Sequence, residues 1–294
     1  MNNKKIISYF GADFHAKAVN DLAKYKNLWG LSDFEQIDYY SVNCIFKCSS
    51  SKHGLCILKI GNDAKSTENE FNILTEYKNT AFCEVYESDI IGSVLLIEFI
   101  SPGTQLRAVP DLDKRLDIFS VLGGTIHKKP ASKKIYPTYM GWVSRITNYM
   151  RARNDYELLC VKMIKAEQIC HTLCQKYPGE MLLHGDLHHD NILLGANNRY
   201  RIIDPKGVVG DPVFDIPRFI LNEFDDELDD NFYPTYTHIT KTLSVKFNIP
   251  EVDIRKLVYV EMCMANCWCV ESNEIPNIND VLFTEKLMEE WRCD

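Results

Sequence analysis

Apolar residues recur along this chain with two different periods. Cys44 to Cys48 alternates with β-branched and aromatic neighbours, and Leu55 to Ile60 is a short apolar run. The turn-forming residues Ser49-Ser50-Ser51-Lys52-His53-Gly54 lie between them, so a hairpin is predicted. Val94 to Ile100 reads as a buried strand broken by Ser101-Pro102-Gly103. Helical spacing governs the rest. Residues from Ala12 to Leu31 predict a helix stopped at Gly30, with Trp29 in the core. Phe71 and Leu74 mark a short helix, and Leu112, Leu116, Phe119, Leu122 and Ile126 a longer one from Asp111 to His127. Trp142 to Tyr177 is expected to be mainly helical, ending at Pro178-Gly179, and Glu261 to Glu271 lies on a late helix. The predicted class is α+β, with strands concentrated early and helices later.

One stretch stands apart. Leu182-Leu183-His184-Gly185-Asp186-Leu187-His188-His189-Asp190-Asn191-Ile192-Leu193-Leu194 is a polar loop between two apolar runs. After a hairpin turn at Asn197-Asn198, Ile202-Ile203 delivers Asp204. The phosphoryl-transfer template has a loop H-R-D-x-x-x-x-N followed by a metal-binding Asp. His184-Gly185-Asp186 and Asn191 fit it with Gly in place of Arg. In this reading Asp186 orients an attacking hydroxyl. Asn191 and Asp204 supply the hard oxygen ligands that magnesium prefers. His188 and His189 divide between an active-site and a structural role. Asp211 and Asp215 read as structural, with Asp215 heading a helix and bracing the loop.

A phosphate-binding lysine is also expected in that template. Lys59 lies among Ile and Leu at the end of its strand, where an unpaired charge is costly. Glu70 is its expected partner, and Glu68 the rival. No G-x-G-x-x-G precedes Lys59; Ser41 and Asn43 occupy the place of the nucleotide loop and offer polar donors to phosphate.

The run HGDLHHDNIL, followed by IDPKGVVGDPVFDIPRF, resembles the aminoglycoside phosphotransferase superfamily, most nearly its streptomycin 6-phosphotransferase and hydroxyurea phosphotransferase branch. The resemblance implies a protein-kinase-like, two-lobed fold. It suggests a small antiparallel-sheet nucleotide lobe over residues 1–100 and a larger, mainly helical lobe over 101–294. It implies ATP, with GTP not excluded, and magnesium as cofactors. The backbone from Glu98 to Ile100 would meet the adenine edge. Lys206, His188 and Glu271 are weaker candidates for substrate contact, Lys206 facing either phosphate or acceptor. The acceptor implied is an aminocyclitol antibiotic of the streptomycin type. Hydroxyurea or a metabolite is the alternative within the class, and nucleotide binding without turnover the alternative outside it.

Composition adds limits. The formal charge of −8 disfavours non-specific nucleic-acid binding and suits a cationic small acceptor. No stretch approaches the ~20 apolar residues of a membrane helix and no signal peptide is evident, so a cytoplasmic location is expected. The 11 cysteines lack framework spacing and read as reduced, packing thiols.

Overall fold

The computed structural model describes residues 3–37, 43–132, 136–224 and 232–289. The chain runs through helices α1 (Asn3–Phe10) and α2 (Ala12–Leu28), then strands β1 (Leu31–Ile37), β2 (Cys44–Ser50) and β3 (Gly54–Ile60). Helix α3 (Ala64–Glu76), strands β4 (Val85–Asp89) and β5 (Val94–Glu98) and the short β6 (Thr104–Gln105) follow. Next come α4 (Leu112–Gly123), α5 (Tyr139–Arg151), α6 (Glu157–Lys176) and β7 (Met181–Leu183). Strands β8 (Ile192–Leu194), β9 (Tyr200–Ile202) and β10 (Val208–Gly210) precede α7 (Ile216–Leu221), α8 (Phe232–Phe247), α9 (Glu251–Glu271) and α10 (Ile278–Glu289). Two compact units result. One takes Met1–Thr104 with Ile192–Lys206, the other Gln105–Asn191 with Gly207–Asp294.

In the first unit, five antiparallel strands are ordered β1-β2-β3-β5-β4. Strand β2 alternates strictly, burying Cys44, Phe46 and Cys48. Those side chains meet Cys56, Leu58 and Ile60 of β3 and Ile6, Phe14, Ala18 and Tyr25 of the two N-terminal helices. The period of two therefore turns Lys59 to the opposite face, toward α3. Central strand β5 is buried at Val94, Leu95, Leu96 and Ile97, which is why it reads as an unbroken apolar run. Helix α2 stops at Leu28. Trp29 stacks on Tyr25 with ring centroids 4.2 Å apart, and Gly30 takes φ +61°, the left-handed conformation a helix stop needs.

A boundary was expected near Ser101, with everything beyond it in the second part. The stretch Ile192–Lys206 instead belongs with the first unit. The reason is backbone pairing. Cys83 N–H donates to the Ile202 carbonyl at 2.9 Å, Ile202 N–H to Ala81 at 2.9 Å, and Gly103 N–H to Leu194 at 2.9 Å. Asn197 and Asn198, both at positive φ, turn the β8–β9 hairpin as predicted.

The second unit is built around α9, buried on nearly every side and packed by α5, α6, α7, α8 and α10. The region from Trp142 to Tyr177 divides into α5 and α6, with a break from Ala152 to Tyr156 where Arg153 pairs with Asp155. Helix α4 ends at Gly123, four residues short of His127. Strands β7 and β10 pair antiparallel, setting Val208 opposite Leu183 and Gly210 opposite Met181.

The pleat makes a stability prediction. Leu58 is fully buried on the helix-covered face, whereas Leu55 on the same strand is 50% exposed. Leu58→Ala should cost about 2–5 kcal/mol of unfolding free energy and Leu55→Ala within about 0.5, measured by urea titration.

Candidate active site

In the first unit a buried lysine is shared between two carboxylates. Lys59 Nζ donates to Glu70 Oε1 and Oε2 at 2.6 and 2.8 Å, and to Asp204 Oδ1 at 2.7 Å. Helix α3 presents Glu70 because Asp63 caps its N-terminus, accepting from the N–H groups of Lys65 and Ser66 at 3.1 Å each. Glu70 is buried two turns later and Glu68 is exposed, which decides between the two candidates. Asp204 follows the end of β9 by two residues, at φ +59°. Its other oxygen, Oδ2, accepts from Lys206 Nζ at 2.6 Å, while the Asn69 amide donates to the Lys206 carbonyl. Burial would lower the Lys59 pKa, but the charges of Asp204 and Glu70 outweigh it and raise the pKa, so the ammonium persists. Burial likewise opposes ionisation of Asp204, yet Lys59 and Lys206 hold its carboxyl well below the usual range.

The second unit carries the His184–Asn191 loop on the end of β7. Asp215 fixes its main chain. Asp215 Oδ2 accepts from His184 N–H at 2.9 Å and lies 2.8 Å from His127 Nε2, and Oδ1 accepts from Gly185 N–H at 2.8 Å. Gly185 sits at φ +80°, and a Cβ there would meet Trp142 Cη2 at 2.8 Å. The Arg that the general template places here could not follow this path. Asp186 N–H donates to His184 Nδ1 at 3.1 Å. Asn191 Nδ2 donates to the Asp186 carbonyl at 2.9 Å and lies 3.1 Å from His188 Nε2. With its amide nitrogen so engaged, Asn191 keeps its amide oxygen as the acceptor end of the side chain. Burial depresses the His188 pKa to about 4, so the ring is neutral at pH 7.

His189 points elsewhere: it pairs with Glu223 and stacks on Phe219, with ring centroids 4.0 Å apart. The two adjacent histidines thus divide between the loop and the core. Asp190 is held by Arg107 through Nε and Nη2 at 2.9 and 3.1 Å. Asp211 accepts from Val213 N–H and Gly179 N–H at 3.2 and 3.1 Å, a capping role.

The remaining candidates fall as follows. Ser41 lies outside the described residues. The Glu98 N–H is already taken by the Glu84 carbonyl at 2.8 Å, and its side chain pairs with Arg201. Ile100 is buried just past β5. Glu271 accepts a forked pair of bonds from Arg145. Lys206 joins the Asp204 cluster of the first unit. Sequence reading missed Arg218, whose Nε donates to Asp186 Oδ1 at 2.8 Å, and missed Tyr139, whose hydroxyl donates to Glu261 at 3.0 Å. Arg218 stands three residues after Asp215 in an apolar run, and that isolated charge was the available signal.

Over residues 37–273 the chain matches the family described as aminoglycoside/hydroxyurea antibiotic resistance kinase. The chain belongs to that family. A streptomycin 6-kinase from Streptomyces griseus is 26% identical to this kinase-family chain over 133 residues, 44% of this chain and 43% of the relative. The chain therefore spans less than half the length of that curated relative. Among solved structures, the choline kinase LicA from Streptococcus pneumoniae superposes with a TM-score of 0.65 at 15% identity, covering 94% of this chain and 100% of that one. Aminoglycoside phosphotransferase APH(4)-Ia, in ternary complex with ADP and hygromycin B, gives a TM-score of 0.61 at 13% identity, covering 91% and 96%. These likenesses establish an α+β, protein-kinase-like fold for this family member. Among the described residues no helix is long and apolar enough to cross a membrane.

Asp215 makes a pH-dependent prediction. Burial would raise its pKa, but the hydrogen bond and charge from His127, with further help from His184 and Gly185 N–H, hold it below the usual carboxylate value. Its stabilisation should be complete above the unfolded value of about 3.9 and be lost as pH falls through the folded value. Asp215→Asn keeps the shape but replaces one acceptor with a donor against a buried N–H. It should cost about 3 kcal/mol at pH 7, and the gap from wild type should narrow below pH ~4 in pH-resolved denaturation.

Proposed function

We propose that this protein transfers the γ-phosphoryl group of ATP to a hydroxyl of a small cationic molecule, with a streptomycin-type aminocyclitol as the leading acceptor. The observation that carries this is the buried Lys59, bonded at once to Glu70 and Asp204. A buried ion cluster of this kind is weak as a stability device, because desolvation offsets much of its attraction. It is well suited to holding phosphate oxygens and a cation.

The proposed roles follow from the donor sets. Lys59, kept in place by Glu70, binds nucleotide phosphate, and the chain from Glu98 to Ile100 meets the adenine edge. Ser41 contributes to phosphate covering. Asp204 and Asn191 are hard oxygen donors fitted to magnesium. Bound with nucleotide, the ion would neutralise phosphate charge. Lys206, bonded to Asp204, is proposed to meet phosphate or the acceptor. Asp186 orients the acceptor hydroxyl. The acceptor oxygen bonds to the γ-phosphorus, the bond from that phosphorus to the ADP oxygen breaks, and the hydroxyl proton leaves through Asp186 to solvent. His188, 3.1 Å from Asn191, is a weaker proposed contact to the substrate.

Family membership and the streptomycin 6-kinase relative support the acceptor class. Glu271 is a proposed acceptor contact, in exchange for Arg145. ATP dependence fits a cytoplasmic enzyme, and GTP is a second donor to test.

The test is ADP release with magnesium and ATP or GTP against streptomycin, other aminoglycosides, choline and hydroxyurea. Streptomycin should stimulate release, and Asp186→Ala should lower kcat by about 10²–10⁴-fold. Lys59→Ala should weaken ATP binding as well as turnover. Tight nucleotide binding without turnover on any acceptor would favour a binding protein.

A further inference from the structure

The helices beside the catalytic loop carry a chain of polar contacts of which the reaction above uses only the far end, Glu271. Tyr139, Trp142 and Arg145 recur every three residues on one face of α5. They meet Glu261, Trp268 and Glu271 on α9. Tyr139 Oη donates to Glu261 Oε2 at 3.0 Å, the rings of Trp142 and Trp268 meet edge to face with centroids 6.0 Å apart, and Arg145 forks onto Glu271. Arg218 on α7 enters this ladder from the side. Its Nε lies 2.8 Å from Asp186 Oδ1 and 3.5 Å from Glu261 Oε1, and its guanidinium stands 5.8 Å from the centre of the Trp268 ring. Glu261 is almost fully buried, so it needs this cation and the tyrosine hydroxyl.

We infer that Arg218 is a positioning residue for the acceptor step: it ties down Oδ1 of Asp186, fixes the plane of the carboxylate, and leaves Oδ2 as the oxygen that receives the acceptor hydroxyl. The inference rests on the reading of Asp186 as the hydroxyl-orienting group. Three features support it. The bond is charge-assisted and therefore directional and strong compared with a neutral one. Arg218 is itself fixed on three sides, by Asp186, Glu261 and the Trp268 face, so it transmits the rigidity of α9 to a loop side chain. The loop main chain is already fixed by Asp215, which leaves the Asp186 side-chain torsions as the freedom still to be removed. Oδ2 faces His188 Nε2 at 3.9 Å, outside hydrogen-bond range. Tyr139 and Glu261 then act at one remove, through Arg218.

The experiment compares wild type, Arg218→Ala, Arg218→Lys and the double variant Arg218→Met/Glu261→Gln, which removes both charges if the single alanine variant fails to fold. Crystal structures of the variants should show the Asp186 carboxylate turned away from its present orientation, with His184 and Gly185 still bonded to Asp215. Turnover, read as ADP release with the best acceptor or with water, should fall about 100-fold in Arg218→Ala, while magnesium–ATP affinity stays within about twofold. Arg218→Lys should recover part of the loss. Millimolar guanidinium chloride should restore turnover to Arg218→Ala and not to Asp186→Ala. An unmoved Asp186 carboxylate in the variant crystals, unchanged kcat, or loss of ATP affinity in step with kcat would overturn the inference. If wild type itself turns over nothing, the phosphotransferase reading fails, and the Asp186 orientation in the crystals still decides whether Arg218 fixes it.

Discussion

The carboxylate of Asp215 is where the second unit acquires its chemistry. A loop that carries Asp186 and Asn191 has no regular ladder to hold it, so its N–H groups need acceptors from elsewhere. Asp215 supplies two of them, at His184 and Gly185, and draws in His127 from beyond the end of α4. Asp215 in turn stands where a short turn begun by Asp211 enters α7. The path of the loop, the requirement for Gly185 against Trp142, and the direction in which Asp186 leaves the backbone all depend on this one group.

The first unit solves a different problem. Lys59 is buried because β-pleating sends Leu58 and Ile60 into the core beneath α1 and α2 and turns the residue between them toward α3. A buried ammonium is tolerable only with close counter-charges, and Glu70 and Asp204 provide them from a helix and from the end of a hairpin. That hairpin is distant in sequence, yet its backbone is paired to the chain around Ala81 and Cys83. The β8–β9 segment thus brings Asp204 to Lys59 within a single compact unit. Lys206 meets the second oxygen of Asp204, so both carboxylate oxygens face an ammonium group.

Much of this was legible from the residues, for identifiable reasons. The polar loop between apolar runs, the lysine inside a strand, the asparagine turn and the glycine helix stop are local signals, and each lies where the pattern puts it. Edge strands β1 and β4 carry mixed polar sequences such as Leu31-Ser32-Asp33-Phe34-Glu35 because one face or edge is solvated, so alternation does not announce them. The break between α5 and α6 is only a few polar residues long, too short to interrupt helical periodicity over the whole segment. His127 keeps helical spacing beyond the true end of α4 because its buried ring bridges the helix end and Asp215, with Nδ1 2.9 Å from the Gly123 carbonyl and Nε2 2.8 Å from Asp215. Long-range partners are the least legible class. Nothing local to Arg218 states that it reaches Asp186, or that Glu261 lies beyond it, since those contacts depend on how α7 and α9 pack. The choice of Glu70 over Glu68 likewise needed the helix phase set by its cap.

The proposed reaction passes a γ-phosphoryl group from nucleotide to an organic hydroxyl. Phosphorus-31 NMR of wild-type protein with magnesium, ATP and streptomycin tests it most directly. The γ-phosphate signal should decay as a new phosphomonoester signal grows, with the β-phosphate of ADP appearing at the same rate. Growth of inorganic phosphate alone at that rate, or an unchanged ATP spectrum with this and every other hydroxyl acceptor, would contradict it.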